Sequence, residues 1–94
     1  MGTIRVEVEL KGPLARLAGK EQLEYQVKSS TLIRDLLGLI GQDFPALQKF
    51  LPGQEGEQYG RHRVLILQEG QPVKLDQKLF PGMRLKIMPP LTGG

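Results

Sequence analysis

The sequence predicts an α+β domain, a two-layer mixed sheet with one main helix across one face. Three observations lead there. Two stretches of strict polar–apolar alternation open the chain, an apolar stripe at helical spacing follows, and short apolar segments separated by turn residues close it. Ninety-four residues make one domain. With no cysteine, its core rests on packing, without disulfides or a Cys-based metal site.

Thr3 to Lys11 alternates without a break. Ile4, Val6, Val8 and Leu10 share one side, and Arg5, Glu7, Glu9 and Lys11 the other, the period of a half-buried strand. Gly12-Pro13 ends it, Pro13–Ala18 has the makings of a short helical turn, and Gly19 closes that turn. Gln22 to Lys28 alternates again with Leu23, Tyr25 and Val27 inward, which gives a hairpin with a wide connection. Ser29, Ser30 or Thr31 is then placed to cap a helix through its hydroxyl. In that helix Leu32, Ile33, Leu36, Leu37 and Ile40 fall on one face, Arg34 and Asp35 on the other, and Gly41 reads as the stop. Phe44, Leu47, Phe50 and Leu51, entered through Pro45, suggest a second short helical segment. Residues 52–60, rich in Gly, Gln and Glu, read as a surface loop.

Val64–Leu67 is apolar at four consecutive positions, so alternation leaves open which pair, Val64/Ile66 or Leu65/Leu67, faces the core. Glu69-Gly70 is a tight hairpin turn, Val73 and Leu75 suggest a return strand, and Leu79–Gly82 a further turn. Arg84–Met88 is the last strand, with Leu85 and Ile87 inward and Arg84, Lys86 and Met88 outward. Pro89-Pro90 ends its pairing, because proline has no amide to donate. The final strand is free to return beside the first.

Composition excludes several functions. Thirteen basic and ten acidic residues give a net charge of +3, intermixed as in Lys20-Glu21 and Arg34-Asp35. That is a solvated mixed surface, not a nucleic-acid stripe. No apolar run approaches the length of a membrane span, and no secretory signal pattern opens the chain. Met1-Gly2 begins a myristoylation motif that Val6 breaks, since Ser or Thr is required there. The expected location is the cytoplasm.

An internal catalytic site is equally hard to find. His62, between two arginines, reads as a surface histidine. Glu7 and Glu9 share an exposed strand face with no cleft suggested, and Ser29, Ser30 and Thr31 lack a base to activate them. Metal-ligand spacing is absent, and the glycines never form a phosphate-cradling loop. No cofactor is expected on this chain.

The closing residues remain. With twelve glycines in 94 residues, a terminal pair arises by composition about one or two times in a hundred, so Gly93-Gly94 alone is weak evidence. Its setting adds weight. Pro89-Pro90 lifts the chain from the last strand, Leu91 is a single apolar handle, and the arm Leu91–Gly94 ends in the two smallest residues. Such a carboxylate fits a narrow channel, and glycine alone tolerates the backbone angles that threading demands. Ordering the arm costs about 1–2 kcal/mol per residue, so a partner must grip it.

The run Ile87-Met88-Pro89-Pro90-Leu91-Thr92-Gly93-Gly94 resembles the end of the small subunit of molybdopterin synthase and, more broadly, of ubiquitin-like sulfur carriers. The order of elements and the length match that family over essentially the whole chain. Departures fall at Glu69-Gly70, where the family often has Asn, and at Pro81–Arg84, where it often has an acidic turn. The resemblance implies a ubiquitin-like β-grasp domain over residues 1–90 and a C-terminal tail over 91–94. It implies that an E1-like adenylyltransferase uses ATP to activate the Gly94 carboxylate, that sulfur converts it to a thiocarboxylate, and that the large subunit of molybdopterin synthase receives it. Gly94 is then the reacting group, and Gly93, Thr92 and Leu91 are the recognised tail; Met88, which parity turns to the outer face beside the tail, is expected with Pro89 and Pro90 to lie against the partner. Acid and base groups would come from the partners. Conjugation of Gly94 to lysines of other proteins, or sulfur transfer in another pathway, is the alternative that the same tail allows.

Overall fold

The computed structural model describes residues 2–51 and 64–89. The loop expected over 52–60, His62, Pro90 and the tail Leu91–Gly94 lie outside the described residues.

Among the described residues, five strands form one mixed sheet in the order β2-β1-β5-β3-β4. β1 is Thr3–Leu10 and β2 is Gln22–Lys28, an antiparallel hairpin in continuous register. β5, Arg84–Met88, runs parallel to β1, with Val8 opposite Leu85 and Leu10 opposite Ile87. β3, Leu65–Gln68, lies antiparallel on the other side of β5. The two central strands are therefore the first and last of the chain, as expected from a final strand returning beside the first.

The alternation does what the pattern requires. Ile4, Val6, Val8 and Leu10 of β1, Leu23 and Val27 of β2, and Leu85 and Ile87 of β5 are buried on one face. Helix α2, Ile33–Asp43, covers that face with Ile33, Leu36, Leu37 and Ile40. Helix α1, Pro13–Ala18, begins at a proline and ends at Gly19 in the left-handed region, φ 78°. The segment Pro45–Phe50 is a 3-10 helix, and Leu47 and Leu51 enter the core from it and its end.

Three expectations are corrected. No hydroxyl of Ser29, Ser30 or Thr31 caps α2; the capping residue is Leu32. The Asp35 carboxylate accepts a hydrogen bond from the Leu32 amide at 3.1 Å. The next amides find acceptors from a distant segment: Ile33 donates to the Gln77 carbonyl and Arg34 to the Leu75 carbonyl, both at 2.9 Å. A local cap is unnecessary where a strap of backbone already satisfies the free donors of the first turn.

Gly41 is the second correction. It is buried inside α2, which continues to Asp43. A Cβ there would meet the Gln48 side chain at 3.2 Å, and Gln48 Nε2 donates to the Gly41 carbonyl at 3.1 Å. The glycine allows the 3-10 helix to approach α2 closely; it does not end the helix.

Third, the return strand β4 is only Gln71–Pro72. The Val73 amide still donates to the Ile66 carbonyl at 3.2 Å, but Leu75 belongs to the strap over the start of α2, where Leu32 also bridges Lys78. The turn before β4 places both Glu69 (φ 51°) and Gly70 (φ 81°) in the left-handed region, the geometry of a two-residue hairpin loop.

Tyr25 ties β2 to the end of α2. Its hydroxyl donates to Asp43 Oδ2 at 2.8 Å. Burial, then that hydrogen bond, then the negative charge of Asp43 raise the tyrosine above its ordinary pKa. A raised folded-state value means that the stabilisation is fully present below the unfolded value of about 10 and fades as pH rises toward the folded one. Tyr25→Phe is expected to cost about 0.5–1 kcal/mol in urea unfolding at neutral pH, low in the usual range because the bond is open to water. The gap between the two proteins should narrow above about pH 10. A gap that widens there would contradict the assignment.

Candidate functional site

The apolar run of β3 is resolved by its register on β5. Ile66 pairs with Ile87 and both are buried, so Val64 and Ile66 face the core. Leu65 lies directly opposite Met88, and Leu67 opposite Lys86, on the other face of the sheet. Met88 is thus on the outer face, as its parity predicts.

The outer face is graded. On β2 and β1 it is charged: Arg5 pairs with Glu24 at 3.0 Å, and Arg84 of β5 reaches Glu7 at 3.4 Å. Lys11 bonds Glu9 at 3.1 Å. Toward β3 and the end of β5 it becomes apolar, with Leu65 37% exposed and Leu67 and Met88 half-buried. Pro89, also half-buried, leaves the sheet beside Gly12, whose missing side chain faces the proline ring. This patch therefore lies where the chain departs toward Pro90. In the sequence Leu65/Leu67 is one of two pairs that could share the outer face with Met88, and the register decides for it.

Glu7 and Glu9 line a shallow depression with Gln22 and Arg84. Each carboxylate is already engaged by a cation, Glu7 by Arg84 and Glu9 by Lys11. That arrangement supports surface solvation rather than acid–base work. Among the described residues no cluster of His, Asp or Glu is placed to share a metal ion, and no helix is long and apolar enough to cross a membrane.

The architecture, two central parallel strands formed by the chain's first and last, a flanking hairpin and one main helix over the buried face, defines a ubiquitin-like β-grasp protein. An archaeal ubiquitin from Caldiarchaeum subterraneum shares that fold, with a TM-score of 0.57 over 99% of this chain and all of that one at 13% identity. The chain is a homologue of small archaeal modifier protein 1 of Haloferax volcanii, at 28% identity over 89 residues, which cover 95% of this chain and 100% of the relative. The crystal structure of that relative superposes with a TM-score of 0.80 over 96% of this chain and 99% of its own. A putative molybdopterin converting factor subunit 1 from Pyrococcus furiosus is similarly close in structure, with a TM-score of 0.79 and 25% identity over 94% of this chain and 99% of that one. No family model matches the sequence.

Proposed function

We propose that the protein is a sulfur carrier that works through the carboxylate of Gly94, supplying sulfur for molybdopterin biosynthesis. The observation that carries this reading is the strand order. The last strand is central, so the chain leaves the sheet at Pro89, beside an outer-face apolar patch, with the sequence Pro-Leu-Thr-Gly-Gly still to come. The similarity to a converting factor subunit points the chemistry toward molybdopterin.

A carboxylate is a poor electrophile. An E1-like adenylyltransferase would join it to the AMP portion of ATP and release pyrophosphate. The outer sulfur of a partner's persulfide then displaces AMP at the acyl carbon to give an acyl disulfide, and a second thiol of that partner attacks the inner sulfur, which breaks the S–S bond, releases the thiocarboxylate of Gly94 and leaves a disulfide on the partner. Gly93 and Gly94 keep the acyl carbon open to approach, Thr92 and Leu91 give the partner something to hold, and the large synthase subunit accepts the sulfur. The intact mass of protein isolated from its native host tests this. A chain ending at Gly94 with one oxygen replaced by sulfur supports the reading, whereas an unmodified carboxylate under cofactor-producing conditions counts against it.

The homologue's name, modifier, favours a second use of the same activated end, transfer to lysine amines. Higher-mass conjugates that disappear on deletion of Gly94 would mark it.

The patch has its own test. An arm alone binds weakly after the entropy of ordering it is subtracted, so a second contact should anchor the complex. Met88, with an adaptable thioether and Leu65 beside it, is suited to that. Met88→Asp is expected to weaken binding to both the adenylyltransferase and the acceptor subunit by about tenfold or more, with little change in stability. Unchanged affinity for both, measured by titration calorimetry, would eliminate this surface.

A further inference from the structure

The sheet has two edges, and they are built differently. β4 is two residues long and includes Pro72, which has no amide hydrogen to offer a neighbour. β2 is seven residues long, free of proline and glycine, and in unbroken register with β1. Natural sheets usually blunt such an edge by shortening, bulging or covering it. No strand lies beyond β2 among the described residues.

The phase of its backbone is fixed at both ends. The Ser29 amide donates to the Gly2 carbonyl at 3.2 Å, and the Leu10 amide to the Glu21 carbonyl at 2.8 Å. Residues in phase with these, Leu23, Tyr25 and Val27, turn their N–H and C=O groups toward β1. Gln22, Glu24, Gln26 and Lys28 turn theirs away from it.

This phase restricts how a second copy adds. Two antiparallel edges bond only if outward-facing residues meet outward-facing residues, so even positions must oppose even positions. Glu24 opposite Glu24, or Lys28 opposite Lys28, brings like charges together. With Tyr25 on the twofold axis, Glu24 meets Gln26 and Lys28 meets Gln22, which matches no charges. With Gln26 on the axis, Glu24 of each copy meets Lys28 of the other, twice by symmetry, and Tyr25 meets Val27 on the opposite face. Lys28 has no ion pair among the described residues, and Glu24 has one, to Arg5. Its carboxylate would then lie between two cations.

We propose that the β2 edge is a self-association surface. Two copies pair antiparallel about Gln26 over Glu24–Lys28, and two five-stranded sheets become one. The inference is independent of the tail chemistry. β1 separates β5 from the seam, so the Met88 patch of each copy stays open in the dimer. The pairing is short, which sets the expected dissociation constant at about 0.1–1 mM.

Sedimentation equilibrium on the full chain, up to about 2 mM, should show a monomer–dimer equilibrium. Over the same range, hydrogen exchange at the Glu24, Gln26 and Lys28 amides should slow with concentration, while Tyr25 and Val27, already bonded to β1, stay constant. Glu24→Lys and Lys28→Glu should each weaken association about tenfold, because both contacts become repulsive. Mixing the two variants, or combining them in one chain, restores opposite charges at both contacts and should restore association. A monomer at every concentration overturns the proposal. So does association that the single swaps leave intact, or that neither the mixture nor the double variant recovers.

Discussion

A chain lacking Gly94 is expected to fold as well as the full-length chain and to form no acyl-adenylate. Stability and activation depend on different parts of the chain. Stability should hold because the described core ends at Ile87, and the last paired residue of β5 is Met88. Activation should fail because adenylation needs the acyl carbon to reach the nucleotide. Removing one residue withdraws it by about 3.3–3.6 Å, more than the tolerance of an aligned reaction geometry. ATP–pyrophosphate exchange in the presence of the adenylyltransferase, set beside a thermal melt, separates the two. Gly93→Val should behave likewise, since valine excludes the positive-φ angles open to glycine and adds bulk where a narrow channel must close. Normal exchange by the truncated chain would remove Gly94 from the mechanism. A sharply lowered melting temperature would make the tail structural instead.

How much of this was legible in the sequence depends on the distance over which each decision is made. The alternation in β1 and β2 was readable, because one face is buried and period two leaves no freedom. The parity of β5 followed in the same way, placing Met88 outward. Val64–Leu67 was not readable, since a run apolar on both sides carries no phase. The pairing of Ile66 with Ile87 and Leu65 with Met88 decided it. The start of α2 misled for a related reason. Three hydroxyl residues precede it, yet its first amides are satisfied by the carbonyls of Leu75 and Gln77, more than forty positions along the chain. Gly41 has the composition of a helix stop and the job of a packing contact, and only the position of Gln48 distinguishes them. The tail motif was legible as a resemblance, whereas the apolar patch beside its root emerged only once the register was known.

The largest effect on the fold itself is expected from Leu36→Ala. Leu36 stands in the first half of α2 with no exposed surface, among Ile33, Leu37 and Ile40 on the face turned to the sheet. The substitution does not weaken the helix, since alanine has the better intrinsic propensity. Its whole cost lies in lost burial and in the space left behind, about 2–5 kcal/mol. Against a total of about 5–15 kcal/mol for a typical domain, that is a large share. The urea midpoint should therefore fall steeply with an unchanged m-value, the mark of a less stable but equally compact native state. Leu39→Ala on the same helix is the control: Leu39 is 37% exposed, so its loss should cost less than about 1 kcal/mol. Equal costs at the two positions would mean that α2 is not docked through the face assigned to it.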